Sequence, residues 1–510
     1  MWRPSQAGGS TMIWAGARPG RAAAVAVTTT VGVLLAGVLA AAPASAEPEC
    51  LGASSDFDRD GSADTVVGAP GGGSVRGSVT VHLSGGGDPR TVVLRGPVGF
   101  GTSVGQVRSY EREGDDEFCT QLVVGSPEET VNGMPRAGAV HVYSYDSTVE
   151  EFQLRGRVTA DSESVLGVPQ TGARFGATVA SASFAEETID PVSELLWVGS
   201  PGHDLTGAPD AGRVTSFVLT SGDGELLATG GDVLDLPDVG VRGSAAAGAR
   251  LGSALSVRGT VLAAGAPGLR VGGDAGAGGV VLAFTPLVFP DEPEDPVQHA
   301  PVLVHQDLAR VAGVAEAGDA FGAAVHLVPV RNDPAVDLVV GSPGEDLGGR
   351  ADAGMVSVGR VHPALSTPAG DFRSVHQGTP GSAGNVEAGD RFGSAVSSAY
   401  LRWTWRVVVG VPGEDVGSAR DTGMVQVLGT DQGWHQGSPE VPGGNETGDR
   451  MGATLGGDPG VRDGLAPDVG VPGEDAATGA VITGLLEEGA VVDRERGTTA
   501  GARFGQALAP

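Results

Sequence analysis

Apolar and polar positions in this chain alternate over short stretches bounded by glycine, proline and acidic residues. Ala139-Val-His-Val-Tyr143 and Met355-Val-Ser-Val358 are two such stretches, each preceded by an Ala-Gly pair. Alternation of this kind places every second side chain on one face and predicts a half-buried strand. Read along the chain, it predicts many short strands separated by Gly-rich turns.

The strands are organised by two repeated elements. A Gly-x-Pro triplet follows an apolar run seven times, with its glycine at Gly68, Gly125, Gly199, Gly265, Gly341, Gly410 and Gly470. The intervals are 57, 74, 66, 76, 69 and 60 residues. Between these triplets lies an apolar residue followed by glycine and a run of small residues. It occurs at Phe100, Phe175, Leu251, Phe321, Phe392, Met451 and Phe504. Each unit has room for about four short strands, and a four-stranded unit cannot bury both faces alone. At the chain ends the two elements fall out of phase. Gly68 has no Phe-Gly at the usual distance before it, and Phe504 has no Gly-x-Pro after it. The segment Ala502–Pro510 is therefore expected to complete the first unit and close a ring.

These fourteen in-register elements resemble the FG-GAP repeats of the integrin α-subunit head. The resemblance covers nearly all of residues 50–510 and implies an all-β fold, a seven-bladed β-propeller of four-stranded antiparallel blades. The expected division is a signal peptide over 1–46 and a propeller over 47–510. Blade 1 is expected at about 50–98 plus 500–510, with blades 2 to 7 at 99–172, 173–248, 249–316, 317–388, 389–447 and 448–499.

Composition supports the strand reading. Gly and Pro account for 119 of 510 residues, roughly twice the usual combined share of about 12%. Interior Gly and Pro cost a helix about 1 and 3 kcal/mol each, so the chain cannot be mostly helical. The net charge is −30, every basic residue is arginine, and there is no lysine. That charge repels nucleic acid and anionic lipid and suits cationic ligands, basic partners or metal ions.

The first 46 residues read as an export signal. Arg3, Arg18 and Arg21 precede an apolar stretch over Ala23–Ala42, no acid occurs before Glu47, and Ala44-Ser45-Ala46 offers a cleavage site. An uncleaved anchor is the alternative, since the stretch is long enough to span a membrane. Cleavage after Ala46 gives a secreted chain of charge −33, free or associated with the cell wall, with no stable membrane insertion. Two cysteines, Cys50 and Cys119, remain. In an oxidising compartment they are expected to form one disulfide, worth about 4 kcal/mol by loop closure; two separate thiols are the alternative.

The strongest chemical motif is Asp56-Phe-Asp58-Arg-Asp60-Gly-Ser62-Ala-Asp64, running into a strand. Carboxylates at alternate positions around a tight glycine turn supply the oxygen ligands a hard cation requires. Asp56, Asp58, Asp60 and Asp64 would give side-chain oxygens and Ser62 its carbonyl, with Ca2+ as the expected ion. The resemblance implies the same, a calcium hairpin between the first two strands of a blade. A metal-free acidic turn is the alternative. Weaker acid groups recur at Asn332, Asp333 and Asp337, and at Asp458, Asp463 and Asp468, as one or two degenerate sites. The acids of blades 2 and 3 (Asp115, Asp116, Asp190, Glu194) have no ligand register.

A second acidic pattern follows the Gly-x-Pro triplets at His203-Asp204, Glu345-Asp346, Glu414-Asp415 and Glu474-Asp475. Equal repeat positions place these loops on one face of the ring. They form either an acidic rim for a cationic or metal-bridged partner, or a set of turns in which each Asp caps its own loop. Enzyme motifs are weak. Gly101-Thr-Ser-Val-Gly105 has a hydrolase-elbow spacing but aligns with the repeat strands, and the nine histidines show no zinc pattern. No catalytic residue is assigned. The expected function is a monomeric, secreted, calcium-binding propeller that captures an extracellular protein or glycan, not an enzyme. A polymer-degrading hydrolase or lyase and a structural envelope protein are the alternatives.

Overall fold

In the computed structural model the chain divides into two units, 1–47 and 48–510. The described residues are 55–85, 90–111, 117–163, 165–182, 195–222, 225–284, 300–330, 333, 335–362, 371–456, 466–486 and 492–509, all in the second unit. The export segment and Cys50 lie outside them, and so does the expected Cys50–Cys119 pairing.

Those residues form seven antiparallel blades of four strands. The innermost strands are Ser103–Glu111, Thr178–Ala182, Ala254–Arg258, Ala324–Pro329, Ala395–Leu401 and Thr454–Leu455 for blades 2 to 7. Blade 1 takes its innermost strand from the other end of the chain. Ala507–Ala509 pairs with Thr65–Ala69, with Val66 opposite Ala509 and Gly68 opposite Ala507. The ring is thus closed by the C-terminal strand, as the phase of the repeats predicts. Blades 2 and 3 also touch strand to strand, where Thr220 stands opposite Tyr110.

The repeated sequence elements are the joints between blades. Phe100, Phe175, Leu251, Phe321, Phe392, Met451 and Phe504 are all 5% exposed or less. Six of the seven form parallel bridges to the glycine that precedes the third strand of the previous blade, from Gly138–Phe175 to Gly479–Phe504. The last of these joins blade 7 to blade 1. The glycine of each Gly-x-Pro triplet is required by close approach. A Cβ on Gly341 would lie 2.0 Å from the Gly393 carbonyl oxygen of the next blade, and one on Gly470 would lie 2.2 Å from that of Gly505. Backbone carbonyls cannot swing aside, so blades must separate to admit a methyl group. Gly341→Ala is expected to destabilise the protein by about 1–3 kcal/mol, read as a lower melting temperature with an unchanged circular dichroism spectrum.

Apolar clusters lie between the blades and not within a single central core. One joins blades 4 and 5 through Leu282, Phe321, Leu338 and Phe372; another joins blades 1 and 2 through Phe57, Val81, Phe100 and Leu122. Each blade therefore depends on its neighbours for burial.

Candidate metal centre

The loop over residues 55–64 leads into the second strand of blade 1, so it emerges on the face opposite the loops that follow each Gly-x-Pro. Phe57 anchors it. Its ring is 3% exposed and meets Phe152 of blade 2 edge-on at 5.8 Å. Asp56 turns the chain: one carboxylate oxygen accepts from Asp60 N at 3.1 Å and the other from Gly61 N at 2.9 Å. Gly61, at φ +92°, supplies the left-handed residue of that turn. Asp64 ties the loop to blade 1. It accepts from Phe57 N at 2.8 Å and from Ser84 N at 2.9 Å, while its own N–H reaches Ser55 O at 3.0 Å.

Oxygens of Asp56, Asp58 and Asp64 lie within 4.8 Å of one another. Asp60 stands apart from this group, exposed, its Oδ1 accepting from Ser62 N at 2.9 Å. Of the four expected side-chain ligands the loop thus brings three together. Asp58 Oδ1 is buried and has no hydrogen-bond partner; Oδ2 is 3.8 Å from the Arg90 guanidinium. Arg90 is itself committed to Glu150 at 2.7 Å. Burial, together with the neighbouring Asp60 and Asp56 charges, pushes the Asp58 carboxyl up. Burial raises Asp64 to about 7, with the charges of Asp58 and Asp56 adding to it. Three mutually repelling carboxylates and one orphaned oxygen fit a hard cation with all-oxygen coordination.

The degenerate candidates differ. Both Asp337 oxygens are occupied by Arg360, at 2.8 and 3.2 Å, and Asp333 accepts from Ala335 N at 2.9 Å. Asn332, Asp458 and Asp463, like Asp115, Asp116, Asp190 and Glu194, lie outside the described residues.

The acidic loops on the opposite face separate into two kinds of carboxylate. Asp204, Asp346 and Asp415 each accept from the N–H six residues on, at 2.8, 3.0 and 2.8 Å, so these three cap their own loops. The blade 7 loop is four residues shorter than that of blade 5. Asp475 has no such cap there; its backbone and the next two residues turn left-handed, and its carboxylate lies 3.2 Å from Arg496. The glutamates point inward. Glu345 and Glu474 are 8% and 2% exposed. Glu345, Glu414 and Glu474 accept from the side-chain amides of Gln306, Gln377 and Gln436 at 2.7, 2.5 and 2.5 Å. Of the residues expected to form an acidic rim, Glu345 and Glu474 are thus buried and Glu414 is half-buried, while Asp204, Asp346, Asp415 and Asp475 are exposed. The glutamines follow the fourth strands of blades 4, 5 and 6, always after a histidine (His305, His376, His435), a recurrence the sequence displays but the loop pattern alone does not single out.

No protein-family model and no curated protein matches the chain. Solved structures similar to it include Sqt1 of Saccharomyces cerevisiae, at 9% identity over 72% of this chain and 68% of that one, TM-score 0.35. Two proteins assigned as 6-phosphogluconolactonases are also similar, each at 12% identity. That of Bacteroides uniformis covers 85% of this chain and 98% of its own, TM-score 0.40; that of Bacteroides fragilis covers 87% and 97%, TM-score 0.42. At such identities the likeness concerns fold alone, which the strand pairing above already establishes.

Proposed function

We propose that the protein is a secreted, calcium-binding β-propeller of the FG-GAP, integrin-α-like kind, acting as an extracellular binding or adhesion module. The observation that carries this reading is the Asp56–Asp58–Asp64 cluster with the unpartnered Asp58 oxygen. The cluster sits on a loop that enters blade 1, packs on blade 2 through Phe57 and Phe152, and lies beside the ring closure. A bound Ca2+ would be held by Asp56, Asp58 and Asp64 and would neutralise their repulsion. Its effect is structural: it fixes the loop at the blade that the C-terminal strand completes. Capture of a protein or glycan then falls to loops presented by several blades of a rigid ring.

Calcium at 100 times its Kd is expected to stabilise the protein by about 2.7 kcal/mol, seen as a rise in melting temperature that EDTA reverses. Asp58→Asn should lose that rise while leaving the EDTA-treated protein at least as stable as before, because a repelling charge is gone. A wild-type melting temperature indifferent to calcium would remove the site. Function is tested by enrichment from culture fluid and cell envelope on the immobilised mature protein, with calcium and with EDTA. Calcium-dependent recovery of one protein or glycan supports the binding module; calcium-independent breakdown of a polysaccharide overturns it.

A further inference from the structure

The inward glutamates occupy equivalent positions, yet the groups that face them differ in a regular way. The four cases are Glu129, Glu345, Glu414 and Glu474, in the loops of blades 2, 5, 6 and 7. In blades 2 and 7 an arginine of the fourth strand meets the glutamate. Arg157 Nε reaches Glu129 at 2.7 Å, with His141 at 2.8 Å on the other oxygen. Arg494 bonds Glu474, both nearly inaccessible. Strand register identifies the matching residues elsewhere. Arg157 and Arg494 stand two strands across from Val124 and Val469, the residues before the triplet glycine. The same register step leads to Ser374 in blade 5 and Gly433 in blade 6.

A second position covaries with the first. The third-strand residue opposite the middle of the triplet is Ala139 in blade 2 and Ala480 in blade 7, but Met355 in blade 5 and Met424 in blade 6. Arginine therefore goes with alanine, and a small fourth-strand residue goes with methionine. The two side chains compete for one space. A Cβ on Gly433 would lie 2.5 Å from the Met424 terminal methyl, and Met424 Sδ is 3.9 Å from the Gln377 amide. Where blades 2 and 7 place a guanidinium, blades 5 and 6 place a thioether.

The charged groups around the blade 5 and 6 glutamates are mostly acidic. Glu345 and the buried Asp319 face each other across the crossover from blade 4, with Glu316 and Asp346 beside them. Glu414 and the buried Asp390 face each other across the crossover from blade 5, with Glu387 and Asp415 beside them and Arg350 acting on Asp390. His305 and His376, on the same crossovers, are pushed down by burial, with the Asp307 charge opposing this at His305. The backbones bind the two sides together, as Gly344 N donates to Asp319 O at 3.1 Å and Gly413 N to Asp390 O at 3.0 Å.

We propose that the seams entering blades 5 and 6 are proton-dependent latches, firm in mild acid and loosened towards neutral pH, whereas in blades 2 and 7 an arginine of the fourth strand holds the equivalent glutamate. Burial raises Asp319 and Glu414 to about 7 and Asp390 to about 6, and pushes Glu345 up as well. Carboxyls whose folded pKa exceeds the unfolded value contribute stability that is complete below about pH 4 and is lost as pH rises through about 6–7.

The test is the melting temperature of the mature protein from pH 4.5 to 8.5 in EDTA, which keeps metal occupancy constant. Wild type is expected to lose roughly 2–4 °C across this range through the two latches, on top of a same-signed share from Asp64 and from Asp449 at the blade 7 seam, each raised by burial to about 7. Glutamine imitates the protonated acid and still accepts from Gln306 and Gln377. The Glu345→Gln, Glu414→Gln double variant should therefore match wild type at pH 4.5 and exceed it at pH 8.5. A second variant transplants the blade 7 solution, Met424→Ala with Gly433→Arg, and should flatten the blade 6 share of the slope. A glutamine double variant that retains the wild-type pH slope overturns the proposal. If that variant does not fold, an unchanged slope in the transplant does so.

Discussion

Deleting residues 501–510 is expected to lower the melting temperature more than any other change of comparable size. Those residues belong to two blades at once. Leu508 and its neighbours supply the innermost strand of blade 1. Phe504 bridges to Gly479 of blade 7, and Arg503 N donates to Ala477 O at 3.0 Å. Gly505 O accepts from the Thr454 hydroxyl of blade 7 at 2.6 Å, and Ala502 O accepts from Gly71 N of blade 1 at 3.1 Å. Removing the segment opens the ring and exposes two interfaces. Loss of the buried Phe504 side chain alone, as Phe504→Ala, should cost about 3–5 kcal/mol, and the deletion must exceed that because it removes a strand as well. Calorimetry of the truncated protein checks this; an unchanged melting temperature would mean that the ring is held elsewhere.

The second large effect is expected at Arg494. It is 6% exposed by side chain and its partner Glu474 2%, and the pair also anchors Gln436 from the blade 6 crossover. Arg494→Ala leaves a buried carboxylate with only the more distant Arg496, at 3.9 Å, a loss of about 3–5 kcal/mol. The same substitution at a surface ion pair costs little: Arg360, which meets Asp337 in the open, should lose less than about 1 kcal/mol. Replacing both partners, Arg494→Met with Glu474→Gln, should restore most of the stability, because no charge is then left buried. Urea unfolding of the three variants separates these cases. If Arg494→Ala proves as mild as Arg360→Ala, the pair is not what holds the shortened blade 7 loop.

Much of the architecture was legible because each repeated element does one physical task seven times. The Phe-Gly element had to be buried and the triplet glycine had to lie at a close approach, so their spacing alone counts the blades. The phase shift at the chain ends predicted that Ala502–Pro510 would complete blade 1, and Ala507–Ala509 does. The metal motif was legible for a similar reason. Alternating acids around Gly61 can converge within one loop, and three of them do so. Asp60 departs from the pattern because its carboxylate turns back to Ser62 N, a choice that spacing does not determine. The acidic loops were the least legible. Asp346 and Asp415 cap their own turns through local bonds, an alternative the sequence already contained. Glu345 and Glu414 turn inward because glutamines from the preceding crossover meet them, 39 and 37 positions away in the chain.

The sequence by itself thus determined the strand pattern, the number of blades, the closure of the ring and the loop most suited to a hard cation. These follow from local periodicity and from steric demands repeated in register. Only the tertiary structure decided which of the many acids are buried and which have a cation beside them. That depends on residues brought together across strands and crossovers, such as Arg494 beside Glu474 and Met424 beside Gln377. The free energy of a carboxylate is set by its desolvation and by the charges around it, and neither is a property of its position in the chain.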